Sequence, residues 1–378
     1  MKVLIAVNSL QQGGAERAAI KLASSLKLEG HHVQLLTWRN EDDFYEIPEG
    51  VVRLNLDPFS PSTNLYRYLP GAFSHRLNLV SKLFKFRRIC KKEKINLFIG
   101  FESFLGAVMA IALMGTRIPV IVSERISPDS NVHETPKLAR VLRPFIYEHG
   151  AICSVQSEGF KKLVKEIWGI ESFITPNHVE TDWLASPQSG ERDRTVLALG
   201  RFDPQKDYPT LIKAWIEINK DFNPWKLNIY GRGDLSNSYF LAREHGATNI
   251  NFYPPTKDAR AELQTCGIFV SSSKYEGFPN VVLEALACGA PIISTLSTDV
   301  IADFEEEGAV IAIPVEDATR MAQALRTLMK SDEARRELSD KAVQVAAKYT
   351  WEYIGKYWEE IIKAAQASNG ISFRKLIK

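Results

Sequence analysis

Two glutamates, Glu276 and Glu284, are separated by seven residues that begin Gly277-Phe278-Pro279-Asn280-Val281. The run follows Ser271-Ser272-Ser273 at the end of a Val- and Ile-rich strand pattern, and it leads into an apolar helical pattern ending at Gly289. Pro279 suits the first position of that helix, where a missing N–H costs nothing. Glu276 is then expected on the loop before the helix and Glu284 on the helix itself. A helix N-terminus fed by a glycine-containing loop presents N–H groups and the positive end of the helix dipole, which suits a diphosphate. Carboxylates flanking such a site accept hydrogen bonds from hydroxyl groups, so one can hold a sugar and the other a ribose. The ordinary reading of two isolated glutamates is a helix-start acid and a solvated helix acid, so the surrounding residues have to decide.

Three further segments sit where strand patterns give way to helices. Gly200-Arg201-Phe202-Asp203-Pro204-Gln205-Lys206-Asp207 follows the strand Val196-Leu197-Ala198-Leu199. Two cations there can neutralise a diphosphate, Arg201 with its planar fork and Lys206 as a point charge, although alone the segment is an ordinary charged turn. Gly231-Arg232-Gly233-Asp234 follows Leu227-Asn228-Ile229-Tyr230, and its glycines permit a tight strand-to-helix turn. Gln12-Gly13-Gly14-Ala15-Glu16-Arg17 ends the first strand and opens the first helix, where backbone can approach a phosphate.

The elements that must position these residues come in two series. Short apolar runs alternate with stretches of helical period, the pattern of βαβ units around a parallel sheet. Strands are expected near 2–7, 32–37, 51–56, 96–100, 118–122 and 151–155, then 196–199, 226–230, 267–271 and 290–294. The first helix gathers Ala15, Ala18, Ala19, Leu22, Ala23 and Leu26 on one face and stops at Gly30. Between the series, the polar stretch from Pro176 to Arg194 places a domain boundary. A helix rich in aromatic residues is expected from Trp351 to Ala367, followed by a mixed apolar and basic tail from Ile371 to Lys378.

Composition narrows the function classes. The 378 residues are 45% hydrophobic, enough for two cores, and the formal charge of +2 argues against a dedicated nucleic-acid binder. Cys90, Cys153, Cys266 and Cys288 have no CxxC spacing, so neither a disulfide framework nor a zinc site is indicated, and a reducing cytoplasm fits. The N-terminal apolar run is too short for a signal peptide, and no stretch approaches the length of a membrane span.

Taken together, Glu276 with Gly-Phe-Pro-Asn, Glu284 and Gly-Gly-Ala-Glu-Arg resemble family 4 of the glycosyltransferases, retaining enzymes of the GT-B fold. The resemblance spans nearly the whole chain. It implies an α/β architecture of two Rossmann-like domains whose parallel sheets face each other across a cleft. Residues 1–178 with a returning 351–378 segment would bind the acceptor, and 179–350 the nucleotide sugar. It further implies that Glu276, Gly277, Phe278, Pro279, Asn280 and Val281 contact the transferred sugar and diphosphate, and that Glu284 binds ribose. Arg201 and Lys206 would stabilise the departing diphosphate, Gly231 and Gly233 would lie near the nucleotide, and Gly13 and Gly14 would face the acceptor side.

One slot departs from the pattern. Many family members carry histidine at the tip of the fifth N-domain strand, where this chain has Val122-Ser123-Glu124-Arg125. Arginine stays charged at pH 7 and is no general base, so Arg125 is assigned sugar or phosphate contact only. No Asp-x-Asp occurs, and Arg201 with Lys206 can neutralise the leaving group, so no metal or other cofactor is expected.

The acceptor side adds a basic segment. Leu79 to Lys94 holds seven basic residues against one acid, Glu93, with Leu79, Leu83, Phe86 and Ile89-Cys90 on one helical side. Lys85, Arg87, Arg88 and Lys91 then suit an anionic membrane or a lipid diphosphate, while the ordinary reading is a solvated helix packed on the sheet. The arrangement resembles N-acetylgalactosaminyl transferases that extend polyprenyl diphosphate-linked oligosaccharides. That resemblance implies a UDP-linked hexose or N-acetylhexosamine donor, a lipid-linked saccharide acceptor, and a peripheral place on the cytoplasmic face of the inner membrane. Two other classes are weighed: a nucleotide-sugar epimerase, which binds similar donors, and a non-catalytic sugar-nucleotide binding module. The Glu276 and Glu284 motif with Gly-Gly-Ala-Glu-Arg favours a transferase over the first, and the phosphate cations beside both glutamates disfavour the second.

Overall fold

The computed structural model divides into two compact units, Met1–Asn177 with Ile354–Lys378, and His178–Tyr353. It describes residues 1–11, 13–39, 43–56, 71–101, 103–125, 137–185, 192–247 and 249–368. Gln12 of the N-terminal glycine motif and the basic tail from Ile371 lie outside the described residues.

The first unit holds seven parallel strands: β1 (Lys2–Val7), β2 (His32–Thr37), β3 (Val52–Asn55), β4 (Leu97–Phe101), β5 (Val120–Ser123), β6 (Ile152–Val155) and β7 (Ser172–Ile174). Their spatial order is β3-β2-β1-β4-β5-β6-β7. The helices between them are α1 (Gly14–Leu28), α2 (Gly71–Lys92), α3 (Ser103–Leu113), α4 (Lys137–His149) and α5 (Glu158–Trp168). Val3 to Val7 of β1 are fully buried, as a central parallel strand covered on both faces requires. The α1 face expected from the sequence is the buried one, and the helix ends at Leu28 before Gly30 takes a left-handed φ of 85°.

The second unit repeats the plan with six parallel strands in the order β10-β9-β8-β11-β12-β13. These are β8 (Asp193–Leu199), β9 (Lys226–Tyr230), β10 (Ile250–Tyr253), β11 (Cys266–Ser271), β12 (Ile292–Thr295) and β13 (Ile311–Ile313). Its helices are α6 (Tyr208–Ile218), α7 (Ser236–Glu244), α8 (Ala259–Thr265), α9 (Asn280–Ala287), α10 (Asp299–Glu306), α11 (Ala318–Lys330) and α12 (Asp332–Ala347). The last helix, α13 (Trp351–Ala367), contributes its residues from Ile354 onward to the first unit, where buried Trp358 stacks on Phe101 with ring centroids 6.4 Å apart. Among the described residues no helix is long and apolar enough to cross a membrane.

In each sheet the chain order reverses once, between β1 and β4 and between β8 and β11. Doubly wound sheets bind ligands beyond the carboxyl ends of their strands at that reversal. In the second unit the flanking loops are Gly200–Asp207 after β8 and Ser272–Pro279 after β11. Both belong to the segments that the sequence singles out.

Candidate active site

Helix α9 carries the central motif and is buried on nearly every side, with Val282 to Ala287 all inaccessible. A helix apolar all round belongs in a core, and here α12 packs against it. Pro279 is corrected from first helical residue to N-cap: its ψ of 81° is not helical, and its carbonyl accepts the first helical bond from Leu283 N–H at 3.1 Å. Asn280 therefore opens the helix, and Val281 and Val282 follow in the first turn, where helix geometry supplies no carbonyl partner for the N–H groups. Phe278 and Pro279 are buried, and Phe278 packs against Tyr349, so their side of any ligand contact is backbone. Glu284 is 1% exposed, which excludes the solvated-acid reading.

Glu276 lies on the loop before α9, and Lys206 meets it from the loop after β8. Lys206 Nζ stands 2.6 Å from Glu276 Oε1, with both side chains largely withdrawn from water. Ser273 Oγ donates to the same oxygen at 2.7 Å, and Gln205 Nε2 donates to Oε2 at 3.4 Å and to the Tyr275 carbonyl at 2.9 Å. Main-chain ties hold the loops together: Lys274 N–H donates to the Gln205 carbonyl at 2.8 Å, and Ser272 Oγ to the Lys206 carbonyl at 2.7 Å. Asp207, next in the chain, takes a left-handed φ of 45° to start α6. Such a conformation in a non-glycine residue persists only where the surroundings hold it.

Arg201 occupies the outer side of this site. Its side chain is half exposed and pairs with Asp203 at 3.0 Å. The Gly231 loop lies alongside. A Cβ on Gly231 would collide with the Gly200 carbonyl, and Gly233, at φ 122°, would place one 2.7 Å from the Phe202 carbonyl. Phe202 N–H also donates to the Arg232 carbonyl at 2.8 Å. Both glycines therefore let two backbone loops touch at the carboxyl edge of β8 and β9.

Gln205 and Ser273 are the residues that reading the motifs misses. Ser273 is hidden within a three-serine run at a strand end, and Gln205 within a charged turn. Their shared purpose, gripping Glu276, needs the third dimension.

In the first unit, Gly13 caps α1 in extended conformation, with the Glu16 carboxylate folded against it and Tyr45 Oη donating to its carbonyl at 3.2 Å. Gly14 begins the helix itself. Arg125 follows β5 and is 7% exposed, its guanidinium 4.5 Å above the Phe101 ring and bonded to Asn177 Oδ1. Burial pushes it down to about 9, which leaves it a cation at pH 7. Its neighbour Glu124 is fully buried, accepts a hydrogen bond from Tyr147 Oη and lies 3.9 Å from Arg143.

The α2 cations divide into two sets. Lys85 Nζ donates to the Leu56 carbonyl, and Arg87 donates to the Ala112 and Met114 carbonyls at 3.1 and 3.4 Å, at the C-terminal end of α3. Phe86 and Cys90 bury the apolar stripe. Lys85, Arg87, Arg88 and Lys91 are all exposed, and on the side of Arg88 and Lys91 so are Val80 at 49% and Phe84 at 72%.

Residues 13–178 match the glycosyl transferase 4-like domain, and residues 179–345 match glycosyl transferases group 1. The chain is a glycosyltransferase of the GT-B fold. Among its relatives is the GalNAc-alpha-(1->4)-GalNAc-alpha-(1->3)-diNAcBac-PP-undecaprenol alpha-1,4-N-acetyl-D-galactosaminyltransferase of Campylobacter jejuni subsp. jejuni serotype O:2. The two are 25% identical over 96% of this chain and 98% of the relative. Sucrose-phosphate synthase from Thermosynechococcus elongatus superimposes on this glycosyltransferase with TM-score 0.78, at 18% identity, over 96% of this chain and 99% of that one. Anabaena HepE in complex with UDP superimposes with TM-score 0.76, at 16% identity, over 96% and 100%.

Proposed function

We propose that this glycosyltransferase moves a hexose or N-acetylhexosamine from a UDP-linked donor to a polyprenyl diphosphate-linked saccharide, retaining the anomeric configuration. The second unit takes the donor and the first the acceptor. The observation that carries the reading is the Lys206–Glu276 pair at the N-terminus of α9, which puts a cation and first-turn N–H groups beside a sugar-binding carboxylate. As the bond from the anomeric carbon to the diphosphate oxygen breaks, its electron pair moves onto that oxygen. Lys206, Arg201 and the helix N-terminus are placed to neutralise it. The acceptor hydroxyl attacks either from the same face within an ion pair or after a short-lived intermediate, forming the new bond to the anomeric carbon as its proton passes to the departing diphosphate oxygen. Both routes retain configuration. The UDP-bound relative fold and the lipid-linked acceptor in the Campylobacter relative's name support the choice of substrates.

The test is a panel of nucleotide sugars offered with a short polyprenyl diphosphate-linked saccharide. The expected product is one added N-acetylhexosamine from its UDP donor, with the donor's α configuration kept by NMR of the fresh linkage. An inverted linkage contradicts the retaining assignment, and interconversion of donor sugars without an acceptor would point to an epimerase instead. Transfer is expected to persist in EDTA, because protein cations already face the leaving group. Activity lost in EDTA and restored by Mn²⁺ or Mg²⁺ would refute that part.

The exposed face of α2 supports a place on the cytoplasmic surface of the inner membrane. Phe84 offers an apolar wedge and Arg88 and Lys91 offer charge to anionic lipid or to the acceptor diphosphate. The triple variant Phe84→Ser, Arg88→Ser, Lys91→Ser is expected to lose about thirtyfold or more in affinity for vesicles containing anionic lipid, at about 1 kcal/mol for each of the two basic residues near the surface. Equal vesicle binding by wild type and triple variant would remove the membrane role.

A further inference from the structure

Glu276 is more fully engaged than a carboxylate waiting for sugar hydroxyls needs to be. Lys206 and Ser273 share its Oε1 at 2.6 and 2.7 Å, and Gln205 reaches its Oε2. Lys206 is also the cation assigned above to the donor diphosphate, so two anions compete for one ammonium. The loops that carry the pair are bolted together by the Lys274–Gln205 and Ser272–Lys206 bonds. The part left to move is the four-carbon stem of Lys206, a flexible chain ending in a point charge.

We propose that Lys206 is exchanged between Glu276 and the diphosphate, so that Glu276 acts as a release device for the spent nucleotide. When an intact donor binds, its sugar hydroxyls occupy Glu276 and Lys206 turns to the phosphates. When the sugar has gone to the acceptor, Glu276 recovers Lys206 and the nucleoside diphosphate loses its strongest contact. Product release then needs no separate gate. The inference rests on the donor-site reading above and adds a prediction that reading alone does not make: removing the Glu276 charge strengthens product binding.

Calorimetric titration of the full chain with UDP, and with GDP and ADP as alternative bases, tests this. Glu276→Gln keeps the shape and, through its amide oxygen, the bond from Ser273, but it replaces the oxygen facing Gln205 with an amide NH2 and removes the competing charge. It is expected to bind the preferred diphosphate about tenfold more tightly than wild type while losing transfer activity. Lys206→Met is expected to bind it about tenfold more weakly, and Glu276→Gln added to Lys206→Met is expected to restore nothing, because the gain belongs to Lys206. Equal or weaker binding by Glu276→Gln, with wild-type binding measurable, overturns the exchange and leaves the donor site standing. The same gain in the Lys206→Met background also overturns it. If wild type binds none of the three diphosphates and consumes no nucleotide sugar, the donor-site reading falls and the exchange with it.

Discussion

Lys206→Met is expected to lower kcat about a thousandfold, close to 4 kcal/mol of transition-state stabilisation. The methionine keeps most of the stem and its packing, so the loss isolates the charge. Lys206 is largely withdrawn from water and held at the carboxyl edge of β8 by a turn whose backbone is pinned to the Ser272–Pro279 loop. A charge in that setting is screened less than one on the surface and acts on a developing anion at short range. Arg201 provides the contrast. Its side chain is half exposed and already paired with Asp203, so Arg201→Ala is expected to cost about tenfold. Kinetics on both variants with the same donor checks the ranking. A larger loss from Arg201→Ala than from Lys206→Met would reverse the assignment of the principal cation.

Arg192→Met is expected to cost about 3 kcal/mol of stability and to lower the melting temperature of the second unit by about 8 °C, with kcat at room temperature nearly unchanged. Arg192 stands just before β8, at the opposite end of the sheet from Glu276. Its Nη1 donates to the carbonyls of Leu263, Gln264 and Cys266 at 3.1, 2.8 and 3.1 Å, and its Nη2 to those of Cys288 and Gly289 at 2.8 and 2.7 Å. These groups lie where α8 and α9 end, where carbonyls lack helical partners and the dipole is negative. One guanidinium thus staples both helices to the base of β8 and β11, and so fixes the far end of the helix whose near end is proposed to face the donor. Methionine fills some of the volume but removes a cationic donor from five carbonyls, of which Gly289 keeps a bond from Ser339 Oγ and Leu263 a weak one from Cys266 Sγ. Circular dichroism melts of the two proteins check this, and an unchanged transition would mean that water replaces the staple without loss.

How much of this was legible beforehand depended on range. Glu276 on a loop and Glu284 on a helix were readable because strand, glycine turn and apolar helix are consecutive in the chain. The central strands were readable for the same reason: β1 and β11 are continuous apolar runs buried on both faces. The short strands β7, β10 and β13 left no such signal, since three or four partly covered residues look like any loop entry. The Lys206–Glu276 contact joins residues 70 apart and exists only because β8 and β11 are neighbours in the sheet. The basic helix was legible as a pattern but not as a function. Charge spacing alone could not say that, of four exposed cations, Lys85 and Arg87 also bond protein carbonyls while Arg88 and Lys91 lie beside Phe84. Arg192 carried no local mark, because its five acceptors are backbone atoms drawn from segments about α8, β11 and α9.

The central claim is that the second unit grips the donor diphosphate with Lys206 and the N-terminus of α9, without a metal. A crystal structure of the full chain with an unreactive UDP-sugar analogue bound in the presence of EDTA tests it most directly. The account predicts the β-phosphate within about 3 Å of Lys206 Nζ and of main-chain N–H groups between Gly277 and Val282, with Lys206 turned away from Glu276. A diphosphate seated elsewhere, with the Lys206–Glu276 pair intact beside an empty α9 N-terminus, would contradict it.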